Sequence, residues 1–141
     1  MNETRTEVLA FIKDFWGGTP SLSDDTDLFD TLGIEGDDAS EFMDAFAKKF
    51  GVDGSDYRWY FHHGEEGHNF GGWFFKPPYR RVARIAITPA ILNEAVSTKR
   101  WPVVYPDHRL SRVRWDIRLN RALVVGCLIL LVIFGIRKWL G

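Results

Sequence analysis

The chain is nearly without cysteine. Its one thiol, Cys127, excludes an intramolecular disulfide framework, and its place inside a continuous apolar run argues against thiol catalysis and thiolate zinc sites. Internal repeats and low-complexity tracts are absent, so solenoid and linker-like architectures are excluded. Met1 to Arg5 lead straight into an amphipathic stretch with no basic-then-apolar leader. Secretion by a cleaved signal is therefore not expected, and the globular part is expected to stay inside the cell. Long hydrophobic runs are missing except for one near the C-terminus. A mean hydropathy of −0.17 excludes a polytopic membrane protein and leaves room for a single span. What remains is 141 residues, 45% hydrophobic and 15% aromatic, enough for one globular domain.

Net charge is also nearly absent, at −1, but the two halves differ sharply. Residues 1–56 hold fourteen Asp/Glu against four Lys/Arg, and residues 57–141 hold five against fourteen. The acidic half should repel nucleic acid and anionic lipid and attract basic protein surfaces, whereas the basic half should favour anionic surfaces.

Apolar periodicity predicts three helices before the run. Val8, Leu9, Phe11, Ile12, Phe15 and Trp16 recur at spacings of three and four over Glu3 to Trp16, and Gly17-Gly18 then Thr19-Pro20 stop the helix. Ser21 to Thr31 reads as a long polar loop anchored by Leu22, Leu28, Phe29 and Leu32. Asp37 to Phe50 places Ala39, Phe42, Met43, Phe46 and Phe50 on one face, with acids first, Lys48-Lys49 last and Gly51 as the stop. Asp37 and Asp38 are expected at the cap positions, after a tight turn at Gly36. Thr88 caps a third helix that has Pro89 at its first position and ends near Arg100. Between them, Tyr57 to His62 and Gly72 to Phe75 read as short strands or irregular aromatic turns, and Arg84 to Ile87 as an extended segment. Trp101 to Asp107, with Pro102 and Pro106, reads as an extended linker.

Ala122 to Ile136 carries no charge over fifteen residues, about 22 Å of helix and short of a hydrocarbon core of about 30 Å. Leu119 and Leu140 lengthen it, flanking Arg and Lys side chains reach outward, and Trp139 suits an interface, so a spanning helix over 119–140 is expected. The alternative, a buried core helix, would show a polar stripe, and this run has none. Arg109, Arg112, Arg114, Arg118 and Arg121 precede the run, and only Arg137 and Lys138 follow it. That asymmetry predicts a single-pass protein with its N-terminal domain cytoplasmic, and the five arginines are candidate ligands for anionic lipid headgroups.

Residues that could carry chemistry do not form a recognisable set. His62, His63, His68, Glu65 and Glu66 match no closed ligand spacing, Asp24, Asp25, Asp27 and Asp30 lack the calcium ladder, and no nucleophile elbow is present. The expectation is a protein that is not an enzyme, with no cofactor and no metal.

The stretch from Asp30 to Asp53 resembles the acyl carrier protein signature: a leucine-glycine turn, an acidic amphipathic helix and a phenylalanine-glycine-valine close. Phe29, Leu32, Gly33, Ile34, Glu35, Asp38, Glu41, Phe42, Phe46, Phe50, Gly51 and Val52 fall where that pattern wants them. In carriers a serine at the start of this helix bears the phosphopantetheine arm; here alignment on Leu32-Gly33 places Gly36 there, with no hydroxyl, and Ser40 lies one turn further on. A closer resemblance is to a bacterial family of uncharacterised carrier-like proteins. They share the Gly33 to Ala39 turn, Tyr60-Phe61, Ile87-Thr88-Pro89 and Arg100-Trp101-Pro102, over roughly residues 5–102. That resemblance implies an acyl-carrier-like helical bundle with an aromatic, short-stranded insertion, and supplies no activity.

Together these readings predict a mainly α protein with a carrier-like domain over 1–102, a basic juxtamembrane linker over 103–118 and a transmembrane helix over 119–140. It is expected to serve in the bacterial inner membrane as a non-catalytic interaction module. Glu35, Asp37, Asp38, Glu41 and Asp44 would meet an unidentified protein with a basic surface, membrane lipids would be the other partner, and nucleic acid is not expected. The alternatives are a plain solvated helix face, an acyl carrier with an unusual attachment serine at Ser40, and a structural or regulatory subunit of a membrane complex.

Overall fold

A computed structural model describes residues 3–18 and 21–141. The described residues are mainly helical and contain no strand, only an isolated bridge between Asp53 and Arg100. Five α-helices follow in order: α1 Glu3–Trp16, α2 Leu28–Leu32, α3 Gly36–Phe50, α4 Pro89–Thr98 and α5 Trp115–Leu140. Two compact units result, one of Met1–Glu66 with Val82–His108, the other of Gly67–Arg81 with Arg109–Gly141.

In the first unit the expected helical faces become the core. α1 buries Val8, Phe11 and Ile12, α3 buries Ala39, Phe42, Met43, Phe46 and Phe50, and α4 buries Leu92, Ala95 and Val96. The centre is aromatic: the Phe11 ring lies 5.3 Å from Phe42, 5.9 Å from Phe46 and 5.7 Å from Phe50, and Phe29 meets Phe42 edge-on at 5.8 Å. α4 starts as its sequence dictates, Thr88 Oγ1 accepting the Ile91 N–H and Pro89 taking a position that lacks an N–H partner in any case. Gly17, with φ of 79°, follows α1; the Thr19-Pro20 stop lies outside the described residues.

Three readings need correction or refinement. The loop over Ser21 to Thr31 is not wholly loop: it gives way to α2, which Asp27 caps by accepting the Asp30 N–H and which Gly33 ends in the left-handed region at φ 67°. The cap of α3 is Glu35, with extended backbone and no side-chain cap bond; Asp37 and Asp38 stand in the first turn, where they favour the helix dipole without capping. The aromatic stretches are 3-10 turns at Trp59–Phe61 and Phe70–Trp73, and a third covers Pro78–Arg80. The two units part after His108, within the stretch 103–118.

Lys99 is the single non-glycine among the described residues with positive φ, at 59°. It ends α4, and its Nζ donates to the Phe50 carbonyl at the end of α3 at 2.8 Å.

In the second unit the Phe70–Trp73 turn packs on the start of α5. Asn69 Nδ2 donates to Asp116 Oδ2 at 2.9 Å, Asn120 Nδ2 donates to Asn69 Oδ1 at 2.9 Å, and the Gly71 N–H donates to Asn120 Oδ1 at 2.6 Å. A Cβ at Gly71 would overlap the Asp116 carbonyl oxygen, so the approach needs glycine. Arg114 completes the arrangement, donating from Nε and Nη2 to the Asp116 carboxylate at 3.0 and 2.6 Å.

Phe42 is fully buried where α1, α2 and α3 supply rings. Phe42→Ala is expected to destabilise the first unit by about 3–5 kcal/mol, read as a lowered denaturation midpoint in detergent.

Candidate functional site

Side chains that α3 turns away from the core form the candidate partner face. Glu35, Asp37, Asp38, Glu41 and Asp44 are all exposed, and among the described residues none of them makes an ion pair. The burial of Ala39, Phe42, Met43 and Phe46 on the opposite face forces this orientation, because the helix has only one apolar stripe. Such a face can attract a basic surface.

The pattern of Asp30 to Asp53 sets Gly36 where a carrier would bear its serine. Gly36 is buried with φ of 51°, and a Cβ there would overlap Cγ of Glu66. Ser40 is exposed, with its hydroxyl donating to the Gly36 carbonyl at 3.3 Å.

Two of the loop acids are structural. Asp24 pairs with Arg5 at 2.7 Å, and Asp27 accepts from Nη1 and Nη2 of Arg84, at 2.5 and 2.9 Å. Arg84 also donates from Nε to the His62 carbonyl at 3.0 Å. The Arg84 hydrogen bond holds the Asp27 carboxyl below its ordinary 3.8. Backbone bonds from Leu28 to Ile87 and from Ala90 to Asp24 complete the seam between the two segments.

Each of the three histidines has partners of its own. His62 is fully buried, its ring stacked on Tyr57 at 5.1 Å, with Nδ1 2.8 Å from the Ile85 carbonyl and Nε2 2.7 Å from the Tyr105 hydroxyl. Tyr105 also accepts from Trp101 Nε1 at 2.7 Å and from the Arg58 N–H at 3.1 Å. With two donors already on its oxygen, Tyr105 must donate its proton to Nε2, which leaves the His62 proton on Nδ1 facing Ile85. Burial accordingly pushes His62 down to about 4. His63 is buried beside Phe29 and Trp59, bonded through Nδ1 to the Gly64 carbonyl, and burial lowers its pKa as well. His68 stacks on Phe70 in the second unit. Among the described residues no three His, Cys, Asp or Glu side chains come together as a metal site.

The five basic candidates are unequal. Arg109, Arg112, Arg118 and Arg121 are exposed, Arg118 lying over the Trp115 ring at 5.0 Å. Arg114 is half-buried and held by Asp116, so its guanidinium is committed within the protein. Sequence reasoning missed Arg84, Tyr105, Asn69 and Asn120; each acts on a partner more than forty positions away, and no local pattern marks such a pairing.

Two outcomes follow. Above pH 6.5 His62 is neutral whether folded or unfolded; between pH 6.5 and about 4 the unfolded chain takes up a proton that the folded chain refuses. Stability should therefore fall as pH falls through that window, by about 3 kcal/mol in all, with His63 adding in the same direction. Denaturant midpoints across the window measure this slope, and His62→Gln should remove most of it. Gly36→Ser is expected to destabilise by about 1–2 kcal/mol, since a side chain is strained at this φ, with Glu66→Ala recovering the part due to overlap.

No curated protein and no solved structure matches the chain. No acyl carrier is thereby brought beside it, and the likeness read from Asp30 to Asp53 stays a likeness of pattern. A family model described as a protein of unknown function, DUF1493, matches residues 1–103, which hold the first unit's four helices, the seam and the acidic face. The chain belongs to this DUF1493 family of proteins of unknown function.

Proposed function

We propose that this chain is a membrane-tethered interaction module that works by binding rather than by catalysis. α5 crosses the bacterial inner membrane once, the N-terminal domain lies on the cytoplasmic side, and the exposed acids of α3 dock on the basic surface of a partner protein. The carrier-like turn and acidic helix serve here as a recognition element without a prosthetic arm.

The observation that carries this reading is the surface of α5. Its 26 residues include an 18-residue window of mean hydropathy 2.4, none of it buried. Leu, Val, Ile and Phe side chains from Leu123 to Leu140 face outward on every side of the helix. A core helix would bury such a surface, and water would penalise it, whereas a bilayer accepts it without a polar stripe. Arginines concentrated before the span and only Arg137 and Lys138 after it support the proposed orientation. The exposed carboxylates of Glu35, Asp37, Asp38, Glu41 and Asp44 support the partner half, because opposite charge speeds and selects encounter.

The test uses full-length protein in its membrane. Wild type should stay in the membrane fraction through alkaline carbonate extraction, and Leu130→Arg with Val132→Arg should release it; release of the wild type would overturn the tether. Affinity purification should recover a basic partner with wild type and lose it with Asp37→Lys plus Asp38→Lys. Unchanged partners in the double variant would reduce the α3 face to a solvated surface, and a pantetheine adduct on intact mass would restore the carrier reading.

A further inference from the structure

The 3-10 turn of the second unit has an exposure that neither the fold nor the acidic face explains. Phe70 is 52% exposed, Trp73 76%, Phe74 75% and Phe75 41%. A turn in water has no reason to present four large aromatic side chains within six residues. The turn is held firmly nonetheless: Asn69 caps it by accepting the Gly72 N–H at 2.8 Å, and the Phe74 and Phe75 N–H groups both bond to the Gly71 carbonyl. Asn69, Asp116 and Asn120 fix it to the first turns of α5.

We infer that Phe70 to Phe75 form a second membrane contact, a wedge that inserts into the interfacial layer of an anionic bilayer at the entry of α5. The inference rests on the reading that α5 spans the bilayer.

Position along α5 gives the depth. Asn120, the last residue of the lock, stands two residues before Ala122, about 3 Å of helix rise ahead of the charge-free run. A turn docked at that height lies at the headgroup and upper acyl level, where Trp and other amphipathic rings are preferred. The charges agree with that level. Lys76 and Arg80 on the same excursion are exposed, as are Arg112, Arg118 and Arg121 on the α5 side, and an anionic headgroup layer complements them. The N–H groups of Gly71, Gly72, Phe74 and Phe75 are all bonded, so the rings beside them can enter the acyl boundary with those donors already satisfied. A protein partner would match the apolar rings equally, but continuity with the span and the cationic rim select lipid.

Depth-dependent quenching tests this on the full chain in phosphatidylcholine–phosphatidylglycerol vesicles. One sample carries an environment-sensitive nitrobenzoxadiazole label on native Cys127, which reports the span. Two more carry it at Trp73→Cys or Phe74→Cys in a Cys127→Ala background, and a fourth at Ser55→Cys as an aqueous reference. Trp73 and Phe74 project outward, so these substitutions leave the Asn69–Asp116–Asn120 lock in place. The expected result is at least twofold quenching at both turn sites by a shallow spin-labelled lipid, more than by a deep one, with Cys127 favouring the deep quencher and Ser55 unaffected. Quenching at Cys127 without quenching at either turn site overturns the wedge and leaves the span standing. Absence of quenching at all sites overturns the span and the wedge with it. A blue-shifted but unquenched turn label shows a protein surface over the turn and overturns the lipid assignment.

Discussion

A phenolic oxygen has one proton to give and room for two donors, and Tyr105 uses all three. It accepts from Trp101 and Arg58 and donates to His62, binding together segments that the sequence keeps as many as 47 positions apart. The constraint propagates. His62 must keep its proton on Nδ1, which sets its bond to Ile85; the same histidine's carbonyl receives Arg84, and Arg84 grips Asp27 at the cap of α2. A run from the proline-flanked segment to the short helix thus hangs on one saturated hydroxyl. Because every member is neutral or paired, the network can sit beside an aromatic core without a stranded charge.

The elements legible in the sequence are those whose causes are local. α1, α3 and α4 announce themselves by apolar spacing, a Thr88-Pro89 start and a Gly51 stop, and the outward face of α3 follows from its inward one. α2 was hidden because five residues do not establish a period, and its cap residue Asp27 is held by an arginine 57 positions away. The aromatic stretches were ambiguous for a different reason. Tyr57, Trp59, Phe61 and His62 sit at spacings that suit a strand as well as a turn, and the ring contacts of Tyr57, Phe61 and His62 with Trp101 and Tyr105 lie too far along the chain for a local pattern to show. The pairing of Asp24 and Asp27 was not legible because their arginines lie in other segments.

The second unit is divided in sequence yet joined in space. The chain leaves the first unit after Glu66, makes its aromatic turn, and returns at Val82; the turn's support, Asp116 and Asn120, comes only later. The family match stops at residue 103 and so includes the turn without its platform. In this chain the excursion is incomplete until α5 is present, which makes the apolar helix part of the fold of the second unit as well as a surface.

Lys99 closes two helices at once. Its backbone terminates α4 in a conformation that most side chains avoid, while its ammonium reaches the last carbonyl of α3. Glycine, the usual occupant of such a backbone, would relax the left-handed strain and abandon the second terminus. Alanine would keep the strain and lose the cation. The position therefore tolerates a cost of roughly 1–2 kcal/mol in order to place one positive charge where two helix dipoles end, and a long cationic side chain is the compromise that serves both.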